Sequence, residues 1–339
     1  MCSILFSSRE IKELDFVNER IQKRGPDYTG VYKHKNYSFV HNLLSITGEF
    51  TKQPFQQNDV VCMFNGQIYN YTDFGDYESD GECLIPLYEK YGNEFVKKLD
   101  GEFVILLVDF KNDTLLISTD IFSTKPLYMA ADDTDDFAFS SYASPLQRME
   151  YKNIYKIPAN KTYIFRLSKF ELIKEMSVMD FDLNQYKNTF DDWNKAFSNS
   201  MTKRATNIRE HLYLGLSSGY DSGVIACELF KRKIPYKVYT VAGREHPEIL
   251  IDRHNIIKEF AEVETLDIKQ DRERCRQFIH HNIDPFRFNI YTNDTNKYDR
   301  YFNANLHDDY GAIGLTYICE HAKKDNRKIY LSGQGADEI

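Results

Sequence analysis

The sequence predicts two domains of different class: an α+β sandwich of stacked sheets, then an α/β domain built on a parallel sheet. Three observations carry this. Residues 1–175 are poor in helical periodicity and hold short β-type runs, many of them apolar on both faces. Residues 180–190 are polar and aperiodic. Beyond them strands alternate with helices, which implies a parallel sheet with helices on both faces. A length of 339 residues suits two domains at roughly 150 residues each. The expected boundaries are residues 1–178 and 191–339, joined by a linker at 179–190.

The first domain's strands are read at residues 2–6, 37–44, 59–66, 103–110, 114–119, 137–141 and 162–166. One early helix follows from the stripe Ile11, Leu14, Val17 and Ile21, stopped by Gly25-Pro26. A second starts at Ser79-Asp80 as a cap and runs through Leu84, Leu87 and Tyr88. In the second domain strands are expected at residues 211–219, 236–243, 263–268 and 328–335, with helices at 222–233, 253–262 and 312–324. Ligands of such folds bind at the carboxyl ends of the strands. Trp193 reads as a helix-packing residue, His280-His281 as a solvated helix end, and Asp132-Asp133 with Asp135-Asp136 as an exposed acidic turn.

The composition, 42% hydrophobic and 28% charged, is that of a globular protein. A net charge of −8 without a long basic run argues against nucleic acid. No apolar stretch is long enough to span a membrane, and the first fifteen residues are too short in apolar length and too acidic for a signal peptide. The six cysteines form no CxxC pair, which argues against a zinc cage. Cys62, Cys83, Cys227 and Cys319 sit in apolar company and read as reduced core thiols, fitting a cytoplasmic protein.

Two places carry chemistry. Cys2 directly follows Met1. Removal of Met1 would leave a thiol and a free α-amine on one residue, a nucleophile with its own base. Asn65-Gly66 closes an apolar strand. It reads either as a hairpin turn or as two donors, a side-chain amide and a backbone N–H, for a developing oxyanion. In the second domain Leu216-Ser217-Ser218-Gly219-Tyr220-Asp221-Ser222-Gly223 follows a strand and opens a helix. Small residues there either wrap phosphate oxygens at a helix N-terminus or form a plain capped turn.

The ordered segments Met1-Cys2-Ser3-Ile4, Arg24-Gly25-Pro26-Asp27, Leu44-Ser45-Ile46, Asn65-Gly66-Gln67-Ile68-Tyr69-Asn70, Ser79-Asp80-Gly81-Glu82, Leu99-Asp100-Gly101-Glu102-Phe103 and Lys125-Pro126-Leu127-Tyr128 resemble the glutaminase domain of class II glutamine amidotransferases, and most closely the asparagine synthetase family. The resemblance implies an N-terminal nucleophile sandwich of two antiparallel sheets flanked by helices. It implies that Cys2 attacks the side-chain amide of glutamine, that Asn65 and Gly66 stabilise the oxyanion, and that Asp80 holds the α-amine. Leu43, Leu44, Ser45, Ile46 and Gln67 complete the implied glutamine site. Two of these depart from the family: its Arg, which pairs with the glutamine α-carboxylate, is Leu43, and its Glu after Asn-Gly is Gln67. Arg24 is a candidate replacement cation.

The second domain resembles the ATP pyrophosphatases in the loop 216–223 and in Leu331-Ser332-Gly333-Gln334-Gly335-Ala336-Asp337-Glu338. Ser218 and Gly223 replace the family's Gly and Ser, and Gln334 replaces a Glu of the synthetase site. The resemblance implies that Ser217, Ser218, Gly219, Asp221 and Ser222 face the pyrophosphate. It further implies that Leu216, Val241, Ser332 and Gly333 line the adenine and ribose pocket, and that Asp221 and Asp337 hold Mg²⁺. The implied substrates are glutamine, aspartate and ATP. The last strand is expected to continue into a helix, and family members run further, so an incomplete synthetase domain is expected, completed by a homodimer or a complementing chain. Alternatives are another carboxylate acceptor, or a chain acting as glutaminase alone or as one subunit of a split enzyme.

Overall fold

The computed structural model describes residues 1–132, 136–206, 208, 211–243, 245–292 and 300–333. It divides into two units, Met1–Tyr186 and Lys187–Ile339.

The first unit is four-layered. One sheet holds β1 (Ser3–Ser7), β2 (Tyr28–His34), β3 (Tyr37–Leu43), β8 (Tyr128–Ala131), β9 (Phe137–Ser140) and β10 (Ile154–Lys156). The other holds β4 (Phe55–Gln57), β5 (Val60–Ile68), β6 (Gly101–Asp109), β7 (Thr114–Thr119), β11 (Thr162–Arg166) and β12 (Glu171–Met176). The orders are β10-β8-β9-β1-β3-β2 and β12-β11-β7-β6-β5-β4, and the neighbours are antiparallel. Period-two alternation of apolar residues builds three cores. Ile4, Phe6 and Phe39 meet Val61, Met63 and Leu106 between the sheets. Leu5, Val40 and Ala138 face outward onto α1 (Leu14–Gln22) and α3 (Ala143–Arg148) through Val17, Ile21 and Leu146. Cys62, Phe64 and Leu107 face outward onto α2 (Leu84–Tyr91) through Leu84 and Leu87. This is why the strands read as apolar on both faces.

Asn65-Gly66 is not a turn. Both residues lie inside β5, paired with Val104 and Phe103 of β6. The glycine is required by the ladder itself: a Cβ there would sit 2.0 Å from the Glu102 carbonyl oxygen.

The second unit holds a parallel sheet of β13 (Leu212–Gly215), β14 (Tyr236–Val241), β15 (Ala261–Leu266) and β18 (Ile329–Leu331), in the order β15-β14-β13-β18. A core formed with α4 (Asp191–Ala205), α5 (Tyr220–Lys231) and α6 (Pro247–Ile257) includes Met201, Ile225 and Leu250. Another joins Tyr213 and Tyr239 to Ile318 and Ala322 of α8 (Tyr310–Lys324). α7 (Arg272–Asn282) packs on α8 through Cys275, Ile279 and Ile313. A hairpin of β16 (Arg287–Thr292) and β17 (Arg300–Asn305) completes the unit.

The helix expected at 253–262 instead begins at Pro247 and ends at Ile257, and Ala261 and Glu262 belong to β15. Proline at the first helical position sets that start. Trp193 is 60% exposed and stacks on Phe197 of its own helix at 5.6 Å; the buried residues of α4, Met201 and Ala205, lie further along. Cys227 and Cys319 are exposed, while Cys62, Cys83 and Cys275 are buried. The buried stripe of α5 runs through Ile225, Ala226 and Leu229 and leaves Cys227 outside it, whereas Cys319 sits at the rim of the α8 stripe, its thiol reaching the Tyr213 hydroxyl at 3.4 Å. His280 and His281 end α7 exposed, as expected of a solvated terminus. Of the acidic turn, Asp132 and Asp136 are half-buried and face Arg9; residues 133–135 lie outside the described residues.

Candidate functional site

In the first unit the strand ladder places Cys2. Ser3 pairs with Asn42 across β1 and β3, so Cys2 lies where the chain leaves β3 at Leu43-Leu44. The Leu44 N–H donates to Cys2 Sγ at 3.3 Å, and the thiol reaches the Leu44 carbonyl at 3.6 Å. Behind it a buried polar network fixes the strand. Asn42 donates to Ser3 Oγ at 2.9 Å and to Asn18 Oδ1 at 2.8 Å, and Ser3 Oγ donates to the Ile21 carbonyl at 2.7 Å.

A cavity of about 80 Å³ opens beside Cys2. All the residues expected at the glutamine site line it: Leu43, Leu44, Ser45, Ile46, Asn65, Gly66, Gln67 and Asp80. Asn65 is fully buried, yet neither its amide nitrogen nor its amide oxygen has a hydrogen-bond partner. Buried polar atoms are paired in more than about nine cases in ten, because an orphan costs roughly 1–3 kcal/mol. An orphaned amide on a cavity wall is free to hydrogen-bond whatever enters the cavity.

Asp80 opens a short 3₁₀ turn, Asp80–Cys83, leading into α2. The Glu82 carboxylate takes the Ser79 N–H at 3.0 Å, which fixes the turn. Asp80 Oδ2 accepts from the Ile68 N–H at 2.9 Å. Burial outweighs these hydrogen bonds and raises the Asp80 carboxyl to about 7. Burial likewise raises the Cys2 thiol, opposed by the Leu44 N–H. It lowers the Met1 α-amine to about 5, so that amine is neutral at physiological pH.

Gln53, Thr47 and Lys125 also line the cavity and were not singled out by the sequence for a role there. Gln53 Oε1 accepts from the Phe64 N–H at 3.0 Å, Thr47 Oγ1 accepts from Gln67 at 2.9 Å, and Lys125 is paired with Glu102 at 3.0 Å. The Lys125-Pro126 segment was the available signal for the last. Arg24 is not among the cavity-lining residues. It donates to the Cys2 carbonyl at 3.2 Å and lies over the Tyr142 ring at 4.9 Å.

In the second unit the strand order reverses at β13, with β14 on one side and β18 on the other. Their carboxyl ends deliver Leu216-Ser217-Ser218-Gly219 and Ser332-Gly333 to one crevice, the switch point where open α/β sheets bind ligands. A Cβ at Gly333 would sit 2.6 Å from Asp221 Cβ, so the end of β18 packs on the first turn of α5, just past the loop. The Thr240 hydroxyl donates to the Leu216 carbonyl at 2.9 Å and leads to Val241 at the end of β14. Ser217 and Ser222 join hydroxyls at 2.9 Å. Gln334 and Asp337 lie outside the described residues.

A helix–sheet–sheet–helix sandwich with its cavity at the start of β1 is the architecture of the N-terminal nucleophile class. Residues 1–172 match the glutamine amidotransferase domain family, and the chain belongs to that family. It is 27% identical over 341 residues to the putative asparagine synthetase [glutamine-hydrolyzing] 1 of Methanocaldococcus jannaschii, covering 90% of this chain and 57% of that one. It is 27% identical over 343 residues to asparagine synthetase B [glutamine-hydrolyzing] of Escherichia coli, covering 94% and 59%. The chain thus spans just under three fifths of the length of these curated relatives. Among solved structures, a glutamine phosphoribosylpyrophosphate amidotransferase from B. subtilis aligns at a TM-score of 0.44 with 12% identity, over 78% of this chain and 81% of that one.

Proposed function

We propose that this chain hydrolyses glutamine at Cys2 and passes the ammonia to an ATP-activated aspartate, giving asparagine, glutamate, AMP and pyrophosphate. The observation that carries the first step is the orphaned Asn65 amide in the cavity shared by Cys2 and Asp80. Removal of Met1 leaves the α-amine on Cys2. The amine takes the thiol proton as Sγ attacks the glutamine side-chain carbonyl carbon. The tetrahedral oxygen receives the Asn65 amide N–H and the Gly66 N–H. Ammonia leaves with a proton from the α-amine, and water then cleaves the thioester to glutamate. Asp80 binds the substrate ammonium, which favours its charged form and offsets the cost of burying it.

For the second step the approach of Gly333 to Asp221, in the first turn of the helix that the 216–219 loop opens, supports a nucleotide site. The aspartate side-chain carboxylate attacks the α-phosphorus of ATP and pyrophosphate leaves. Ammonia then displaces AMP. Mg²⁺ is held mostly by phosphate oxygens and water with one or two carboxylates. Asp221 fits as one of these, and Asp337 is the proposed second. The ion would neutralise phosphate charge. The six unpaired cysteines suit a reducing cytoplasm, and among the described residues no helix is long and apolar enough to cross a membrane.

The test is incubation of the purified chain with glutamine, aspartate and MgATP. The proposal expects glutamate, AMP, pyrophosphate and asparagine. Glutamate and ammonia without AMP would leave only the first step to this chain, with a second copy or a complementing chain needed for the other. No glutamate would end the proposal.

A further inference from the structure

The 216–219 loop does not present its backbone donors to an incoming phosphate. The Ser218 N–H and the Ser218 hydroxyl both donate to one oxygen of the Glu245 carboxylate, each at 2.5 Å. The Ser217 N–H is taken by Ser222 Oγ at 3.0 Å, and the Gly219 N–H by Ser217 Oγ at 3.1 Å. Three successive N–H groups are therefore occupied by side chains of the protein. Two of these contacts are ordinary hydroxyl closures, but the third is an anion. A carboxylate oxygen accepting from a backbone N–H and a hydroxyl beside a helix N-terminus stands in for a phosphate oxygen.

The segment that delivers this carboxylate is clamped on the loop from a second direction. Glu245 lies just ahead of α6, and the His246 N–H donates to Ser218 Oγ at 3.2 Å. Further along α6, Arg253 Nη1 donates to the Ser217 carbonyl at 2.6 Å and the Gly219 carbonyl at 2.7 Å. A Cβ on Gly223 would come within 2.8 Å of the Arg253 guanidinium, so glycine there gives that side chain its room. Both sequence departures in this loop thus have partners: Ser218 supplies the hydroxyl that grips Glu245, and Gly223 admits Arg253.

We propose that Glu245 occupies the phosphate seat of the 216–219 loop in the nucleotide-free chain, and that ATP binds only as this carboxylate leaves. The inference rests on the nucleotide reading of the second unit. It makes Glu245 a competitor of the substrate's phosphates and the residue that sets nucleotide affinity, while Arg253 holds the loop's shape in both states. Like charge also opposes the exchange, because the seat is vacated by one anion only as another arrives.

The experiment is titration of the full chain with MgATP and, separately, with inorganic pyrophosphate, for the wild type, Glu245→Gln and Glu245→Ala. Glu245→Gln keeps the side-chain volume and an acceptor and removes only the charge, so it carries the test if Glu245→Ala fails to fold. Expected is weak binding by the wild type and at least about tenfold tighter binding of both probes by Glu245→Gln. Equal affinity, or weaker binding by the variants, would overturn the inference while leaving the nucleotide site standing. No binding by any of the three proteins would instead overturn the nucleotide reading and the inference with it.

Discussion

Asn65 joins stability to function most directly. Its two amide atoms are buried without partners, so the folded chain carries a desolvation cost that substrate would offset in the proposed mechanism. Asn65→Ala should lower kcat for glutamine hydrolysis by about 10²–10³ without lowering the melting midpoint, because the lost packing is offset by removal of an unsatisfied amide. Parallel kinetics and thermal unfolding check this; a large drop in the midpoint with normal kcat would contradict it. Asp80 gives a pH signature. Burial raises its carboxyl from 3.8 to about 7, so the folded chain binds a proton that the unfolded chain has released. Its stability contribution is full below the unfolded value and is lost as pH rises through the folded one. Relative to Asp80→Asn, the wild type should therefore lose stability between about pH 4 and pH 7, and the same variant should raise KM for glutamine at least about tenfold by removing the partner of the ammonium. Unfolding curves across that range and initial rates decide both. Cys2, Asn65 and Asp80 were legible because residue type and order point to one chemistry. Gln53 and Thr47 were not, because each enters the cavity from a loop through a single hydrogen bond that no periodicity announces.

Among the elements, β5 and β6 position the cavity, and at Gly66 they leave no room for a side chain. Gly66→Ala would drive a Cβ into the Glu102 carbonyl at 2.0 Å, where backbone rather than a flexible side chain must move. The expected outcome is loss of soluble folded protein or a fall of several kcal/mol in unfolding free energy; denaturant titration tests it, and a wild-type unfolding curve would contradict it. This is also where the sequence misled. Asn-Gly is a strong turn signal, yet here a ladder that runs on to Ile68 overrides it. Buried strands such as β1, β6 and β7 were readable from apolar runs on both faces. The edge strands β2 and β12 were not, because their residues are largely exposed or half-buried and show no apolar run. In the second unit the small-residue loop marks the proposed nucleotide crevice in the sequence, but Glu245 and Arg253, which hold that loop, come from 27 and 36 residues further on and only the fold brings them back.

At the scale of the whole molecule, each unit closes its own cores, three among the described residues of Met1–Tyr186 and three among those of Lys187–Ile339. The change of grammar near residue 180 made two domains legible, since stacked sheets and a parallel sheet impose different hydrophobic patterns. A chain cut after Tyr186 should therefore stay folded and release glutamate from glutamine, measured by circular dichroism and an ammonia assay; an unfolded fragment would show that the first unit depends on the second. The claim on which the whole functional reading turns is that Cys2 becomes the chain terminus and acts as the nucleophile. It is tested most directly by mass spectrometry of the N-terminal peptide after treatment with a glutamine-analogue diazoketone. The expected spectrum shows Met1 removed and a single adduct on Cys2, with excess glutamine protecting it. Met1 retained, with Cys2 unlabelled while the exposed Cys227 or Cys319 reacts, would contradict it.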